Sequence, residues 1–576
     1  MENLFKQSFV AGVERVAAWA DLLDDINVYP VADGDTGRNL SVSLSPLRRA
    51  DGEKDKIVRQ LLLAARGNSG NIASQFFSVF YAADSPGSLK ETVRTANEKA
   101  WKAVSDPRPG TMLSVFDALQ ETLSGQESFP DKESVNRILS RLEKAVRETR
   151  DTLPKLRKAG VVDAGALGMY IFFEGFFRTL AGLDNSYRPV TEIFPGLLTI
   201  SPAFHETLES GYCVDFVLKA DAPAENLAQI AAGQESAVIL RDGDLYKIHL
   251  HTDDREKIRS RMGALGSVMA WEDDNLALQI RDFMNAPADA ALHIMTDAAG
   301  SLTRDDAKKR GFTLLNSYLN VGDQSMPETY FHPADLYRAM SAGVKVSTSQ
   351  ASVFERHQCY ASALARFEKV LYLCVGSVFT GNYSVALEWK KEHDPENRMM
   401  VIDTGAASGR LGVMVLATQS FLVRTKDMNR TIAFARDAVA RCEEYVFLDK
   451  LQYLAAGGRL SKTSAFFGDM LKMKPVVSPQ PDGAKKMGVV RSRADQIKMA
   501  LDKLAAVLAP DDSALIMLEY SDNIEQVSEF RKQAQKLYPR AEIILQPLSL
   551  TSGAHMGPGT WGVAFLRIEE KSVDGG

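Results

Sequence analysis

Two carboxylates, a hydroxyl and two glycines share one short stretch near the start of the chain, Asn27-Val28-Tyr29-Pro30-Val31-Ala32-Asp33-Gly34-Asp35-Thr36-Gly37-Arg38-Asn39, with helix-forming sequence on both sides. A hard cation such as Mg²⁺ takes oxygen ligands and keeps several waters, so one or two carboxylates and a set of phosphate oxygens complete its shell. Glycine lets backbone N–H groups approach those phosphates closely. An acidic, Asx-rich turn between two helices would use the same residue types with no ligand at all. A second cluster lies in His249-Leu250-His251-Thr252. Histidines two apart on a strand point to one face, about 7 Å from each other. Both imidazoles could reach one Zn²⁺ together with Cys213 from a neighbouring strand. Three ligands are one short of a closed structural site, and the alternative is a pair of partly exposed strand histidines beside a cysteine buried as a small hydrophobe.

The elements that must carry these residues differ along the chain. To about residue 190 the apolar positions recur with helical spacing, as in Val135, Ile138, Leu139, Leu142 and Val146, while Arg and Glu fill the other face. No G-x-x-x-x-G-K-[ST] string occurs, which removes a P-loop. After Tyr187-Arg188-Pro189, Tyr212 to Leu218 reads as a strand, and Ala237 to Leu240 and Leu245 to His251 read as a hairpin on an Asp242-Gly243 turn. Ala286-Pro287-Ala288-Asp289-Ala290 reads as a linker. Beyond it, apolar strands at Leu292 to Asp297, Val370 to Val375, Met399 to Ile402, Ala514 to Leu518 and Ile543 to Leu545 alternate with helices, the pattern of a mostly parallel sheet covered on both faces.

A chain of 576 residues exceeds one core and predicts three or four domains. With 45% hydrophobic and 25% charged residues it has ordinary globular composition. The net charge of -6, without a Lys/Arg run, argues against a nucleic-acid partner. No apolar stretch nears the 18 to 20 or so residues of a spanning helix, and the first residues lack the pattern of a signal peptide. Four cysteines, far apart, fit a reducing compartment, so a cytoplasmic location is expected.

The stretch from Asn27 to Asn39 resembles the signature of the nucleotide-binding subunit of dihydroxyacetone kinase, in the form found in bacterial fatty acid kinases. Ala65-Arg66-Gly67-Asn68-Ser69-Gly70, Pro109-Gly110-Thr111 and Ala159-Gly160-Val161-Val162-Asp163-Ala164-Gly165 match the other nucleotide-contacting turns of that family in order. The resemblance implies ATP and Mg²⁺ as cofactors, with Asp33 and Asp35 as metal ligands and Asn27 as a further oxygen donor. It also implies that Thr36, Gly37, Asn39, Asn68, Ser69, Gly70, Thr111, Asp163 and Gly165 line the nucleotide site. The module with the H-x-H-T string resembles the middle domain of the same kinases, which favours Zn²⁺ at Cys213, His249 and His251.

The C-terminal half resembles the DegV family of fatty-acid-binding proteins through Thr296-Asp297, Val346-Ser347-Thr348-Ser349-Gln350-Ala351-Ser352, Gly376-Ser377-Val378-Phe379-Thr380-Gly381-Asn382-Tyr383, Gly457-Gly458-Arg459-Leu460-Ser461-Lys462 and His555-Met556-Gly557-Pro558-Gly559. A buried carboxylate costs several kcal/mol unless it is paired and hydrogen-bonded, and hydroxyls with a cation meet that need. The resemblance implies that Thr348 and Ser377, with Ser349 and Gly381, hold the fatty-acid head group, and that Arg459 and His555 stand at the pocket mouth and guide phosphate transfer. Helix capping for Thr348 and Ser377 and a surface ion pair for Arg459 are the plain alternatives. The family usually has proline at Ala351 and serine at Gly376.

Together these readings predict a multidomain fold: an all-α helical barrel over 1–190, a small α/β domain over 195–285 and a two-subdomain α/β DegV-like unit over 290–571. The expected activity is ATP-dependent phosphorylation of a bound fatty acid to an acyl phosphate, in a homodimer formed through the kinase half and supplying a downstream acyltransferase. A small-polyol kinase and a lipid-binding regulator with an inactive kinase half are the rival readings.

Overall fold

The computed structural model describes residues 2–49, 53–125, 131–184, 186–206, 210–220, 234–284, 291–450, 452–453 and 473–569. Arg459, its surrounding glycine string and the linker at 286–290 lie outside the described residues. The chain divides into two compact units, Met1–Ala286 and Pro287–Gly576. The N-terminal part is helical and the C-terminal part is α/β.

In the first unit no strand occurs among the described residues before Tyr212. The helix Ala164–Leu180 is apolar nearly all round and nearly all buried, which makes it the axis on which the other helices pack. Phe9, Phe76, Phe80, Phe172, Phe173 and Phe176 interlock around it in edge-to-face and tilted pairs. Arg15 and Glu174 form an ion pair inside this core. A four-stranded sheet follows, in the spatial order Glu235–Asp242, Leu245–Thr252, Tyr212–Lys219, Ser267–Asn275. The hairpin turn is Gly243-Asp244, one residue later than the sequence predicts, because Gly243 takes the left-handed conformation at φ 60°.

Among its described residues the second unit holds three sheets. A parallel sheet runs Met399–Asp403, Val370–Cys374, His293–Asp297, Phe312–Leu315. An antiparallel sheet runs Gln324–Pro327, Ser317–Val321, Val346–Gln350. A six-stranded sheet runs Gly483–Val490, Lys474–Gln480, Glu443–Phe447, Trp561–Arg567, Ala514–Tyr520, Glu542–Pro547, and only its last pair is parallel. The mostly parallel expectation therefore holds for one sheet and fails for the other two. An apolar run records burial on both faces and carries no strand direction.

Candidate functional site

The helix Ala20–Asp25 ends just before the acidic loop, and its last turn organises that loop. Asp24 Oδ1 accepts the N–H groups of Gly37 at 2.6 Å and Arg38 at 3.1 Å, which caps the following helix Thr36–Leu44. Asn27 Oδ1 accepts from Asp35 N at 3.2 Å, Thr36 N at 2.9 Å and Thr36 Oγ1 at 2.6 Å. Asn27 was expected as a third metal ligand; its oxygen is turned onto the loop backbone and braces it, and a carbonyl oxygen has only two lone pairs to offer. Gly37 is fixed as glycine by contact: a Cβ there would lie 2.0 Å from the Ala20 carbonyl oxygen.

The other three turns meet this loop. Thr36 Oγ1 lies 3.3 Å from Ser69 Oγ, at the head of helix Gly67–Phe80. Gly67 sits at φ 58°, and a Cβ on it would meet Asn39 Nδ2 at 2.1 Å, while one on Gly70 would meet Ser43 Oγ at 2.1 Å. Asn39 and Gly70, expected at the nucleotide, also take part in the packing that presses the two helix starts together. Thr111 caps helix Met112–Ser124 through Leu113 N, and the Met112 N–H points to the Asp163 carboxylate. A Cβ on Gly165 would stand 3.2 Å from Asp163 Oδ1 and 3.6 Å from Ser69 Oγ. Burial pushes Asp163 up to about 7, against the N–H groups of Ala166, Met112 and Gly165 that favour its charged form. Tyr29, which no sequence argument singled out, faces the same carboxyl and is raised by burial and then by Asp163.

An opening at the acidic loop, lined by Tyr29, Asp33, Asp35, Asn68 and Ser69, is also lined by Cys213, His249 and His251 of the sheet. Cys213 pairs with His251 and Asp215 with His249 across the two central strands, so all four share one face. The ligand atoms of Cys213, His249 and His251 lie within 4.8 Å of one another. His251 is pushed down to about 3 by burial and then by His249, which keeps its imidazole neutral. His249 Nε2 is buried with no hydrogen-bond partner among the described residues. Cys213 is raised by burial and then by Asp215, Asp35 and Asp33, so a metal must displace its proton. Buried, close, nitrogen- and sulfur-bearing, this set fits Zn²⁺. The carboxylates of Asp33 and Asp35, one buried and one partly so, fit a hard cation.

In the second unit Thr348, on the edge strand Val346–Gln350, lies with Oγ1 3.1 Å from His555 Nε2. His555 stands in the last turn of the helix Leu550–Met556, and the left-handed Gly557 ends that helix. The residue pattern suggests a tight turn at this point; the glycines that follow hide the short helix. Ser377 is exposed, and its N–H is held by Asp403 Oδ1 at 3.0 Å. Ser349 and Gly381 are exposed, Gly381 just before helix Asn382–His393. Gly376 leaves no room for the serine usual in the family, since a Cβ there would lie 2.7 Å from the Gly405 backbone. Arg356, which no sequence motif includes, braces this loop: its Nη1 donates to Asn382 Oδ1 at 2.7 Å, and Asn382 Nδ2 donates to the buried Asp297 at 2.7 Å.

Three family models match the chain in succession: the DAK2 domain over residues 30–178, the FakA-like middle domain of fatty acid kinase over 209–283, and the uncharacterised DegV protein family over 291–567. The chain therefore joins a kinase-like DAK2 domain, a fatty-acid-kinase-type middle domain and a DegV domain. An uncharacterised protein of Staphylococcus saprophyticus is 29% identical over 323 residues, 51% of this chain and 58% of that protein. One of Staphylococcus aureus strain USA300 is 28% identical over 308 residues, 49% of this chain and 56% of that protein. The chain spans a little over half the length of these curated relatives. Among solved structures, a fatty-acid-binding DegV family protein from Thermus thermophilus is 23% identical, covering 48% of this chain and 99% of that one with a TM-score of 0.45. DegV of Bacillus subtilis, a fatty acid binding protein, is 18% identical, covering 48% and 99% with a TM-score of 0.43. No helix among the described residues is long and apolar enough to cross a membrane.

Proposed function

We propose that the protein is an ATP-dependent fatty acid kinase that phosphorylates the carboxylate of a fatty acid held in its DegV domain, giving an acyl phosphate and ADP. The observation that carries this reading is the meeting of the Asp33–Asp35 loop with the Ser69, Met112 and Asp163 turns, on a chain that also carries a DegV domain. In this reading the three domains are 1–190, 195–285 and 290–571, and the first is a helical barrel. Asp33 and Asp35 hold Mg²⁺, which supplies charge neutralisation at the phosphates when bound. Thr36, Gly37, Asn39, Asn68, Ser69, Gly70, Thr111, Asp163 and Gly165 line the nucleotide site, and Asn27 braces the metal loop. Thr348, Ser349, Ser377 and Gly381 bind the carboxylate. His555, beside Thr348, and Arg459 steer the phosphate to it. No general base is needed, because the acceptor is already ionised at neutral pH. One chain carries donor and acceptor sites, so even a loose linker gives an effective concentration of order mM. The product is a mixed anhydride, and an acyltransferase is the class of enzyme that consumes it. A homodimer through the kinase half and a reducing, cytoplasmic setting, which few and widely spaced cysteines fit, complete the reading.

The test is Asp35→Ala, with hydroxamate trapping of acyl phosphate and mass spectrometry of copurifying lipid run in parallel. The expected result is loss of ATP-dependent hydroxamate with the lipid retained. Undiminished turnover would refute the kinase reading, and retained lipid with no acyl phosphate in either wild type or variant would establish the lipid-binding alternative.

A further inference from the structure

Between the nucleotide turns and the Cys/His cluster stands one carboxylate that neither set includes. Asp215 is 8% exposed and shares its strand face with Cys213. Its Oδ2 accepts the Gly67 N–H at 2.9 Å and lies 3.1 Å from His249 Nδ1. Its Oδ1 accepts from Asn71 Nδ2 at 3.2 Å and lies 3.4 Å from Lys247 Nζ. On the cluster side, a carboxylate on Nδ1 sets the imidazole tautomer and leaves Nε2, the orphaned buried atom, as the lone pair for a metal. On the other side, Gly67 and Asn71 open the helix whose first turn carries Asn68, Ser69 and Gly70. Arg66, the preceding residue, forks onto Glu272 of the edge strand, with one arm at 2.7 Å. That pair is largely exposed and screened, whereas the bonds to Asp215 are buried.

We propose that Asp215 is a positioning residue that makes metal occupancy of the Cys213–His249–His251 cluster and nucleotide occupancy at the Gly67 turn one linked equilibrium. Rotation of the carboxylate serves or starves both partners together. A metal that fixes His249 therefore fixes Asp215, and a fixed Asp215 holds the Gly67 N–H where the turn closes. Thermodynamic reciprocity then requires nucleotide to tighten metal by the same factor that metal tightens nucleotide. The inference rests on the kinase reading for the identity of the nucleotide.

The test uses the full chain stripped of metal, with Mg·ADP as one probe and Zn²⁺ as the other. Calorimetry gives the Mg·ADP dissociation constant with and without one equivalent of zinc, and competition with a chromogenic chelator gives zinc affinity with and without ADP. In wild type the two ratios should agree, at about 5- to 150-fold. Asp215→Asn should weaken zinc by about 10- to 100-fold and bring both ratios to one. The His249→Ala/His251→Ala double variant should lose bound zinc by elemental analysis and lose the coupling, which excludes zinc acting at Asp33 and Asp35. Asp215→Glu, keeping a carboxylate, should recover part of the ratio. If Mg·ADP binds wild type with a constant that zinc does not move, or if the ratio survives Asp215→Asn, the inference falls and the kinase reading stands. If no nucleotide binds, both fall. Should Asp215→Asn lose its native circular dichroism, Asn71→Ala, which removes a donor from Asp215 Oδ1, takes its place: a reduced ratio supports the inference and an unchanged ratio overturns it.

Discussion

Replacing Asp163 by asparagine should change how the stability of the helical unit depends on pH, in a direction and size that follow from its burial. Its carboxyl is 5% exposed at the start of helix Ala164–Leu180, bonded to Ala166 N at 2.7 Å. Burial moves it from the ordinary 3.8 to about 7, which is roughly three pH units, or roughly 4 kcal/mol at 1.36 kcal/mol per unit. The folded-state value lies above the unfolded one, so between about pH 4 and 7 the folded protein keeps a proton that the unfolded chain has released. The associated stability is fully present below pH 4, falls with each unit of rising pH, and is gone above 7. Asp163→Asn is neutral throughout and has no such slope. The stability of the variant relative to wild type should therefore rise across that window and be level on either side. A chain of several domains does not unfold in one step, so the readout is hydrogen-exchange protection in peptides from residues 164–180, corrected for intrinsic exchange and followed from pH 4 to 8. Parallel profiles for the two proteins, or wild-type protection that grows from pH 4 to 7, would refute the reasoning.

Three further outcomes are expected in the second unit. Glu444 and Glu519 are both fully buried on the strands flanking Trp561–Arg567, held by the hydroxyls of Ser408 at 2.6 Å and Ser301 at 2.5 Å, and interact with each other electrostatically. Burial and then the Glu444 charge raise Glu519 well above the ordinary carboxylate value, so the unit loses stability as pH rises above the unfolded value; Glu519→Gln, which keeps a donor toward Glu444, should flatten the pH dependence of hydrogen-exchange protection in peptides spanning residues 443–447 and 514–520, and an unchanged dependence would count against a proton held by the pair. His555→Ala should lower acyl-phosphate turnover by about 10²-fold or more with copurifying lipid retained, and Ser377→Ala should release lipid; a pocket emptied by His555→Ala at unchanged turnover on the remaining lipid would reverse the two roles.

What could be read from the chain alone was local. Glycine at 34, 67 and 160 takes positive φ in the structure, and strings built on such residues commit the backbone to a turn wherever they occur. The acidic loop was visible for that reason, the other three turns became visible only through the family resemblance, and the shared face of His249 and His251 follows from period-two alternation. What escaped were partners brought in from far along the chain or from an unmarked position. Asp215 reaches Gly67 over 148 residues, and nothing in Tyr212-Cys213-Val214-Asp215 distinguishes that aspartate from a solvated strand residue. Asp24 and Tyr29 were closer, yet a cap that serves the next helix leaves no spacing signature on its own.

The distinction bears on how the nucleotide turns are held. Asn39, Gly67 and Gly70 are occupied with fitting one helix start against another, where a single Cβ would collide at 2.1 Å. The turns are thus close to rigid relative to each other, and freedom remains at the edge that faces the sheet. There the contacts are polar: the Gly67 N–H and Asn71 on Asp215, and Arg66 on Glu272. Polar contacts around a buried carboxylate are worth much when complete and cost much when one partner leaves. Under the proposed linkage, the edge through which the Cys213–His249–His251 cluster would act on these turns is this polar one, because the cluster lines the same opening as Asn68 and Ser69.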